Sequence, residues 1–523
     1  MIHFKKTLMV AVLVSTPTIA QDVDLDVMNK IRIEGFTNSQ VMDTLSYLTD
    51  EIGPRLTGSP NMRAANDWTA EQFSKWGLTN VKLQPFEFGP GWTMNHAYVH
   101  MTDPKNLQLY AAPISWHPGT NGPISAEVIY APMRSKADFE QYKGKLKGKI
   151  VLVDGVGAER EPNNEVFKRL GDEDFTDLNT YNIPDHNGAD SQMGWVNYRT
   201  FFFEREKFLT SEGAIAMVRK SPRSAMLLDA GSYQHMTDHL PQIPGVVVAD
   251  EHYDRMIRLI NKDKAVKMSL DVSVNFHRED TKSYNTLAEI KGKGRNPEIV
   301  MAGAHMDSWF LGTGAVDNGA GTAVVMEAMR ILKAIGVEPK RTIRAALWSG
   351  EEQGYFGSQQ YVTDNLADRP NNNDPSLEYM GPYEKTYNQF PITKKEEFDR
   401  FSAYFNLDNG GGKIRGIFSE NNVAAAKLFE EWLKPFHNLD AKTVSLQETG
   451  GTDHEVFDDI GLPGFQFIQD PLDYGPRLHH TQLDVLDNAY ELDLKQASVI
   501  MAAFLYNAAM SDTKMPRKPM PTK

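Results

Sequence analysis

Short apolar runs alternate with amphipathic stretches in the second half of this chain. The clearest runs lie at residues 298–304, 342–347 and 404–407, and they are rich in residue types that suit buried strands. Apolar positions at helical spacing, from Val324 to Ile335, follow the first run. Strands that alternate with helices in this way predict an α/β fold with a mixed, mostly parallel central sheet flanked by helices.

The first half has a different pattern. Helical spacing at residues 39–50 and 61–76 comes first, and from about Thr120 short buried strands take over. These strands, with one following helix, are predicted at residues 147–154, 214–218, 243–248 and 253–260. Because 523 residues exceed the usual size of one domain, we expect two domains.

Two further stretches stand apart. The polar, Pro- and Asn-rich residues 368–395 predict a surface insertion beside the site. An aromatic cluster in the first half is expected to pack in a core, with substrate or dimer contact as the less favoured interpretation. The cluster comprises Trp195, Tyr198, Phe201, Phe202 and Phe203.

Polar residues follow the apolar runs directly. Glu351 and Glu352 come after the strand at residues 342–347. Two adjacent carboxylates in one cavity raise each other's pKa, and burial adds to that cost. A metal site removes the problem, because one glutamate can bind metal while the other handles a proton.

The other strand ends carry the same kind of residue. His305 and Asp307 follow the first run, and that spacing suits a metal ligand whose free ring N–H is held by the neighbouring carboxylate. A glycine-rich turn then contains Asp317, and Asp408 follows the third run. Histidines 479 and 480 lie near the C-terminus. Imidazoles and carboxylates without any cysteine suit paired zinc, with cobalt or manganese as substitutes.

The order of these segments resembles the co-catalytic di-zinc exopeptidases, which include bacterial leucyl aminopeptidases and carboxypeptidase Q. The motifs that carry the resemblance are GAHMDSW, GAVDNGAG, KRTIRAALWSGEEQG and the HHT near the end. The resemblance covers most of the chain after residue 20. It implies a zinc exopeptidase fold with an inserted, β-rich protease-associated domain that covers the cleft. The expected divisions are residues 1–20, 21–119, 120–275 and 276–523, of which 120–275 is the inserted domain and the two flanking segments form the peptidase domain.

The resemblance also implies a role for each residue. His305 would bind the first of two zinc ions per chain, Asp317 would bridge both ions, and Glu352 would bind one of them. Asp408 and His480 would bind the other. The catalytic residues would be Glu351, as general base, and Asp307, as the support of His305.

Each of these positions also has a structural interpretation. A histidine at a strand end is more often a hydrogen-bonded core residue, and the glycines after Asp408 explain an aspartate there by turn chemistry alone. The glycine-rich turn lacks the Gly-Lys-Ser/Thr ending of a phosphate-binding loop. His480 is preferred to His479 because it directly precedes Thr481, as in the family pattern. His454, in a family-like segment after Asp453, is not counted as a ligand.

The N-terminus predicts export. Lys5 and Lys6 precede an apolar run at residues 8–14 and the small-residue ending Thr18-Ile19-Ala20, which is the layout of a secretory signal peptide. The run is too short to anchor the chain in a bilayer. A long chain without cysteine fits an exported bacterial protein, periplasmic or secreted.

A net charge of −14 argues against nucleic acid or an anionic membrane as partner. The resemblance implies peptide substrates, and a homodimer is left open. The leading prediction is a zinc aminopeptidase or dipeptidase that attacks peptide bonds near the N-terminus with a metal-activated water. The alternatives are a one-metal acyltransferase of the glutaminyl cyclase type and a non-enzymatic binding protein with a peptidase-like fold.

Overall fold

The computed structural model describes residues 23–156, 165–181, 188–295 and 297–522, and it contains two eight-stranded sheets. The predicted signal peptide, residues 1–20, lies outside these residues. Among the described residues, none of the helices combines the length and the apolar character that crossing a membrane requires.

The strands and helices are given in chain order. The strands are β1 (Thr79–Glu87), β2 (Gly91–Asp103), β3 (Leu107–Gln108), β4 (Ala111–Pro113), β5 (Ile124–Tyr130), β6 (Ile150–Leu152), β7 (Ala216–Lys220), β8 (Gly245–Val248), β9 (Lys267–His277), β10 (Lys282–Ile290), β11 (Ile299–His305), β12 (Thr342–Trp348), β13 (Ala367–Asp368), β14 (Thr393–Lys394), β15 (Phe401–Asn406), β16 (Ile414–Phe418), β17 (Thr443–Ser445) and β18 (Gly464–Gln469). The α-helices are α1 (Leu25–Thr37), α2 (Val41–Ser46), α3 (Pro60–Lys75), α4 (Asp172–Leu178), α5 (Gly188–Ser211), α6 (Asp250–Ile260), α7 (Ala320–Ala334), α8 (Phe356–Asn365), α9 (Pro382–Thr386), α10 (Val423–Leu433), α11 (His454–Asp458) and α12 (Glu491–Met510).

The central sheet has the strand order β1-β10-β12-β11-β15-β18-β16-β17. Its four middle strands, β12-β11-β15-β18, run parallel, and antiparallel pairs flank them on both sides. Every residue of β11, β12 and β15 is buried, as expected for parallel strands covered on both faces. The prediction of a mixed, mostly parallel sheet flanked by helices is confirmed.

Helices cover both faces of this sheet. One face packs on α7 and α12, and α1 and α2 pack on these two helices, in a large apolar core that includes Val324, Leu332 and Phe504. The other face packs on α8 and α11, through a second core around Tyr361 and Phe457. The middle strands are therefore fixed from both sides, and the polar residues at their ends have a rigid base.

The second sheet has the order β3-β2-β9-β5-β6-β7-β8-β4. It includes three strands that precede residue 120, because β2 pairs with β9 along most of its length. We therefore propose that the second unit runs from residue 91 to residue 277. Helix α6 packs on its core through Tyr253 and Met256.

Candidate metal centre

The polar strand ends meet at one edge of the central sheet. In the parallel pairing of β11 with β12, His305 lies opposite Trp348, so the turn that holds Glu351 begins beside His305. On the other side of β11, Gly303 pairs with Asn406, two residues before Asp408. Since parallel strands end at the same edge, residues far apart in sequence converge there.

His305 is buried among carboxylates. Its Nε2 atom lies 3.3 Å from an oxygen of Asp317 and 3.3 Å from an oxygen of Asp408. The nearer oxygen of Glu351 is more distant, at 3.8 Å. The same ring nitrogen of His305 therefore contacts both Asp317 and Asp408.

His480 forms a second group. Its Nε2 atom lies 3.0 Å from an oxygen of Glu352 and 3.4 Å from Oδ2 of Asp317. Asp317 thus turns one oxygen toward each histidine, which is the arrangement that a bridging carboxylate needs.

The grouping of the carboxylates corrects one expectation. Asp408 was expected beside His480, but it lies beside His305, and Glu352 lies beside His480. The reason is the strand order, because β11 and β15 are direct neighbours and bring His305 and Asp408 to the same point.

Asp307 differs from expectation in its contacts. The Nδ1 atom of His305 bonds to the backbone carbonyl of Asp307 at 3.0 Å, whereas the carboxylate lies 3.6 Å away. The carboxylate instead accepts hydrogen bonds from the Thr57 hydroxyl at 2.9 Å and from the backbone N–H groups of Glu351 and Glu352 at 3.4 and 3.3 Å. Asp307 therefore orients the histidine through its backbone and the two glutamates through its side chain.

Charge in this cluster is not balanced by the chain itself. Burial raises the pKa of Glu351 well above its ordinary value and that of Glu352 to about 7. Burial favours the neutral ring of His480, yet the charge of Glu352 raises the pKa of His480 to about 9. Among the described residues, the buried Oε1 atom of Glu352 has no hydrogen-bond partner.

These observations fit a bound zinc ion. Three sets of donor atoms each lie within 4.8 Å of one another: His305 with Asp317 and Glu352, His305 with Glu351 and Asp408, and Asp317 with both C-terminal histidines. Imidazole and carboxylate ligands suit zinc, and a dication would neutralise carboxylates that are otherwise costly to bury.

The remaining histidines have other partners. Arg223 donates to Nδ1 of His479 at 2.9 Å, and Nε2 of His479 lies 3.9 Å from Asp317, farther than that of His480. His454 bonds to the carbonyl of Thr449 at 3.0 Å. The geometry therefore favours His480 as the C-terminal ligand.

Three supporting residues were not identified from the sequence. Asp484 accepts hydrogen bonds from the backbone N–H groups of Val316 at 2.6 Å and Asp317 at 3.1 Å. The hydroxyl of Tyr474 donates to Asp317 at 3.1 Å. The guanidinium of Arg55 is buried and donates to five carbonyls, those of Leu48, Gly53, Met306, Thr313 and Gly314.

Their sequence signals were weak. Arg55 and Thr57 lie between the helices expected at residues 39–50 and 61–76, where no pattern points to the metal centre. Asp484 follows His480 by four residues, and nothing in that spacing predicts a backbone acceptor. These side chains hold the loops on which the ligands stand.

The cluster opens into a cleft of about 500 Å³. Carboxylates and tyrosines dominate its wall, and Trp195, from the aromatic cluster predicted to be core, is part of it. The tyrosines that line it are Tyr233, Tyr355, Tyr383, Tyr387 and Tyr474. A cleft of this size can hold a small molecule next to the atoms that would bind metal.

Comparisons with known proteins give a consistent result. Residues 285–505 match peptidase family M28. Carboxypeptidase Q of Mus musculus is 25% identical over 499 residues, which span 95% of this chain and 91% of that protein.

Two solved structures share the fold. The peptidase M28 precursor of Shewanella amazonensis superposes with a TM-score of 0.66 at 24% identity, covering 95% of this chain and 99% of that one. The zinc aminopeptidase of Bacillus subtilis gives a TM-score of 0.57 at 20% identity, covering 90% and 95%.

Proposed function

We propose, from the premise that residues 285–505 form a metallopeptidase domain of family M28, that this protein removes residues from the N-terminal end of peptides with the help of two zinc ions. The enzyme class is metallopeptidase. The number of zinc ions, the attack at the N-terminal end and the roles of individual residues are the proposal.

One observation carries the proposal: the four carboxylates of the cluster are not equivalent. Asp317, Glu352 and Asp408 each have an oxygen within 3.0–3.4 Å of a histidine nitrogen, as ligands of shared ions would. Glu351 stays at 3.8 Å and lines the cleft. We therefore assign metal binding to the three nearer carboxylates and proton transfer to Glu351, whose oxygen still lies within 4.8 Å of donor atoms of His305 and Asp408.

His305, Asp317 and Asp408 would hold one zinc ion, and Asp317, Glu352 and His480 the other. When bound, such ions lower the pKa of water and polarise the scissile carbonyl group. Glu351 accepts the proton from the attacking water and returns it to the leaving amine. Its backbone N–H donates to the carboxylate of Asp307 at 3.4 Å, which holds the turn that carries Glu351.

The acidic cleft supports recognition of a free amino terminus. Glu384 and Glu455 line it without being placed as metal ligands, and carboxylates there favour an ammonium group. We also propose that residues 1–20 direct export and that residues 91–277 are a protease-associated domain. Peptides would be the substrates.

The test is metal analysis combined with a panel of aminoacyl-arylamides and dipeptides. We expect two zinc ions per chain and cleavage that 1,10-phenanthroline abolishes and zinc restores. One zinc per chain with pyroglutamate formation would indicate the cyclase alternative. Full activity after chelation, with metal loss verified, would contradict the proposal.

A further inference from the structure

Two distant segments meet over the cleft. Helix α5 belongs to the second unit, and the stretch 375–387 belongs to the insertion after α8. Trp195 from α5 and Tyr383, Glu384 and Tyr387 from the insertion all line the cleft. We call this contact the bridge; it is formed by Trp195, Val196, Arg199, Phe203 and Lys207 of α5 and by Leu377, Tyr379, Met380 and Glu384 of the insertion.

The bridge is well packed. The rings of Phe203 and Tyr379 stack at 4.4 Å, and the Lys207 ammonium donates to the Tyr379 hydroxyl at 2.6 Å. Arg199 and Glu384 form an ion pair at 2.8 Å in which the side chains are 1% and 5% exposed. The buried ion pair and the apolar cluster together hold α5 against the insertion.

The bridge also touches the catalytic turn. Gly354 follows Glu351 by three residues and has a φ of +118°, and a side chain there would meet Glu384 Oε1 at 3.3 Å. The second oxygen of Glu384 has no hydrogen-bond partner among the described residues. The bridge thus lies at the β12 end of the metal centre, and its Glu384 Oε2 atom is the acceptor without a partner there.

The end of the cleft opposite the bridge differs. A second hollow of about 390 Å³ begins at Asp408 and Asn409, which also line the cleft, and continues along β18 past Gln466 and Gln469. Because β18 and β12 lie on opposite sides of β11 and β15, this hollow leads away from the bridge. A peptide chain can continue in this direction, at about 3.3 Å per residue.

We propose that the bridge determines where a substrate must end: the amino-terminal residue lies against it, and the rest of the peptide extends toward β18. This inference rests on the proposed peptidase function and adds the structural reason for its attack at a chain end. Glu384, which lines the cleft at the end where an N-terminal extension would have to pass, is then a specificity-determining residue, and Arg199, buried behind it, is its positioning residue.

The test compares two series of peptides with the zinc-loaded full chain. One series is extended by one to three residues on the amino side of the scissile bond, and the other on the carboxyl side. Mass spectrometry identifies the first product, so that stepwise trimming is not counted. In the wild type, we expect amino-side extension to reduce kcat/KM at the original bond by at least about fiftyfold, and carboxyl-side extension to change it little.

The decisive variant is Phe203→Ala with Tyr379→Ala, because neither side chain lines the cleft. It should raise the ratio of kcat/KM for amino-extended peptides to kcat/KM for the unextended substrate about tenfold. Lys207→Met removes a single contact of the bridge and should act in the same direction if the double variant does not fold. Lys394→Met, in the insertion but outside the bridge, is the matched control and should change neither series.

Equal cleavage of extended and unextended peptides by the wild type would overturn the inference. An unchanged preference in a folded bridge variant would do the same. Failure of the wild type to cleave any peptide with two zinc ions bound would instead contradict the proposed function and is recognisable as such.

Discussion

At the end of β6 in the second sheet, Asp154 accepts hydrogen bonds from Arg205 at 3.1 Å and from the backbone of Lys220 at 2.9 Å. Lys220 in turn pairs with Asp250 and Asp254. At the corresponding edge of the central sheet, Asp317, Glu351, Glu352 and Asp408 lie around the imidazoles of His305 and His480. These two edges thus treat buried charge differently: the edge at β6 pairs it within the chain, and the edge at the metal centre gathers more carboxylates than the chain neutralises.

The difference separates structural from catalytic polar groups. A buried charge that has its partner within the chain contributes to folding, whereas a surplus of one sign is stable only with a cation from outside. Variants in the two sheets should therefore have different consequences, in metal content for the central sheet and in stability for the second.

The largest effect is expected for Asp317→Ala. Two neighbouring cations repel each other unless an anion lies between them, so the variant should lose both metal and activity. Atomic emission on the purified protein measures the metal, and circular dichroism confirms that the chain is folded. Two tightly held zinc ions in this variant would show that Asp317 does not bind both ions.

Glu351→Gln should cost at least about a hundredfold in rate while zinc content stays near wild type, because this residue moves a proton and does not bind metal. Its neighbour provides the matched control. Glu352→Gln should lose zinc as well as activity. Near-normal turnover by Glu351→Gln would mean that another group is the base.

Asp307→Asn should reduce turnover by about tenfold to a hundredfold without unfolding the protein. The amide group cannot accept all three hydrogen bonds that the carboxylate takes from Thr57, Glu351 and Glu352, so the catalytic turn loosens. Thr57→Val removes one of these bonds and should have a smaller effect, whereas His305→Ala should remove metal. Wild-type kinetics for Asp307→Asn would contradict the positioning role.

The smallest effect on activity is expected in the second sheet. Asp154→Ala leaves Arg205 buried without its acceptor and should lower the free energy of unfolding by about 3 kcal/mol. Zinc content and kcat of the folded protein should stay unchanged. Glu127→Ala, which removes an exposed pair with Lys149, is the control and should change stability by less than about 1 kcal/mol. Loss of zinc from Asp154→Ala would show that the two sheets are coupled.

The sequence predicts the central sheet well because its signals are local. The apolar runs at residues 298–304 and 342–347 correspond to β11 and β12, and their polar ends are the residues that converge. The helix expected at residues 61–76 is α3, which begins at Pro60 because Ser59 accepts a hydrogen bond from the backbone of Met62. Strand ends and helix caps depend on neighbours in sequence, and such features can be predicted.

What could not be predicted depends on residues that are distant in sequence. Which carboxylate lies beside which histidine follows from the strand order, and chain order does not reveal it. The insertion at residues 368–395 was expected at the surface as a polar segment, yet Tyr379 and Glu384 within it are buried against α5. A composition average hides the few residues that make such contacts.

The position of Arg55 bears on how the protein is made. Its guanidinium joins a segment near the start of the chain to the carbonyls of Met306, Thr313 and Gly314. Strand β1 likewise pairs with β10, although all strands of the second sheet lie between them in sequence. On the ribosome, the second sheet emerges before the partners of β1 have been synthesised. The segment from Arg55 to β1 therefore cannot complete its contacts until residues beyond 282 have been synthesised. A fragment limited to residues 285–505 would lack the arginine that holds the loops carrying the metal ligands.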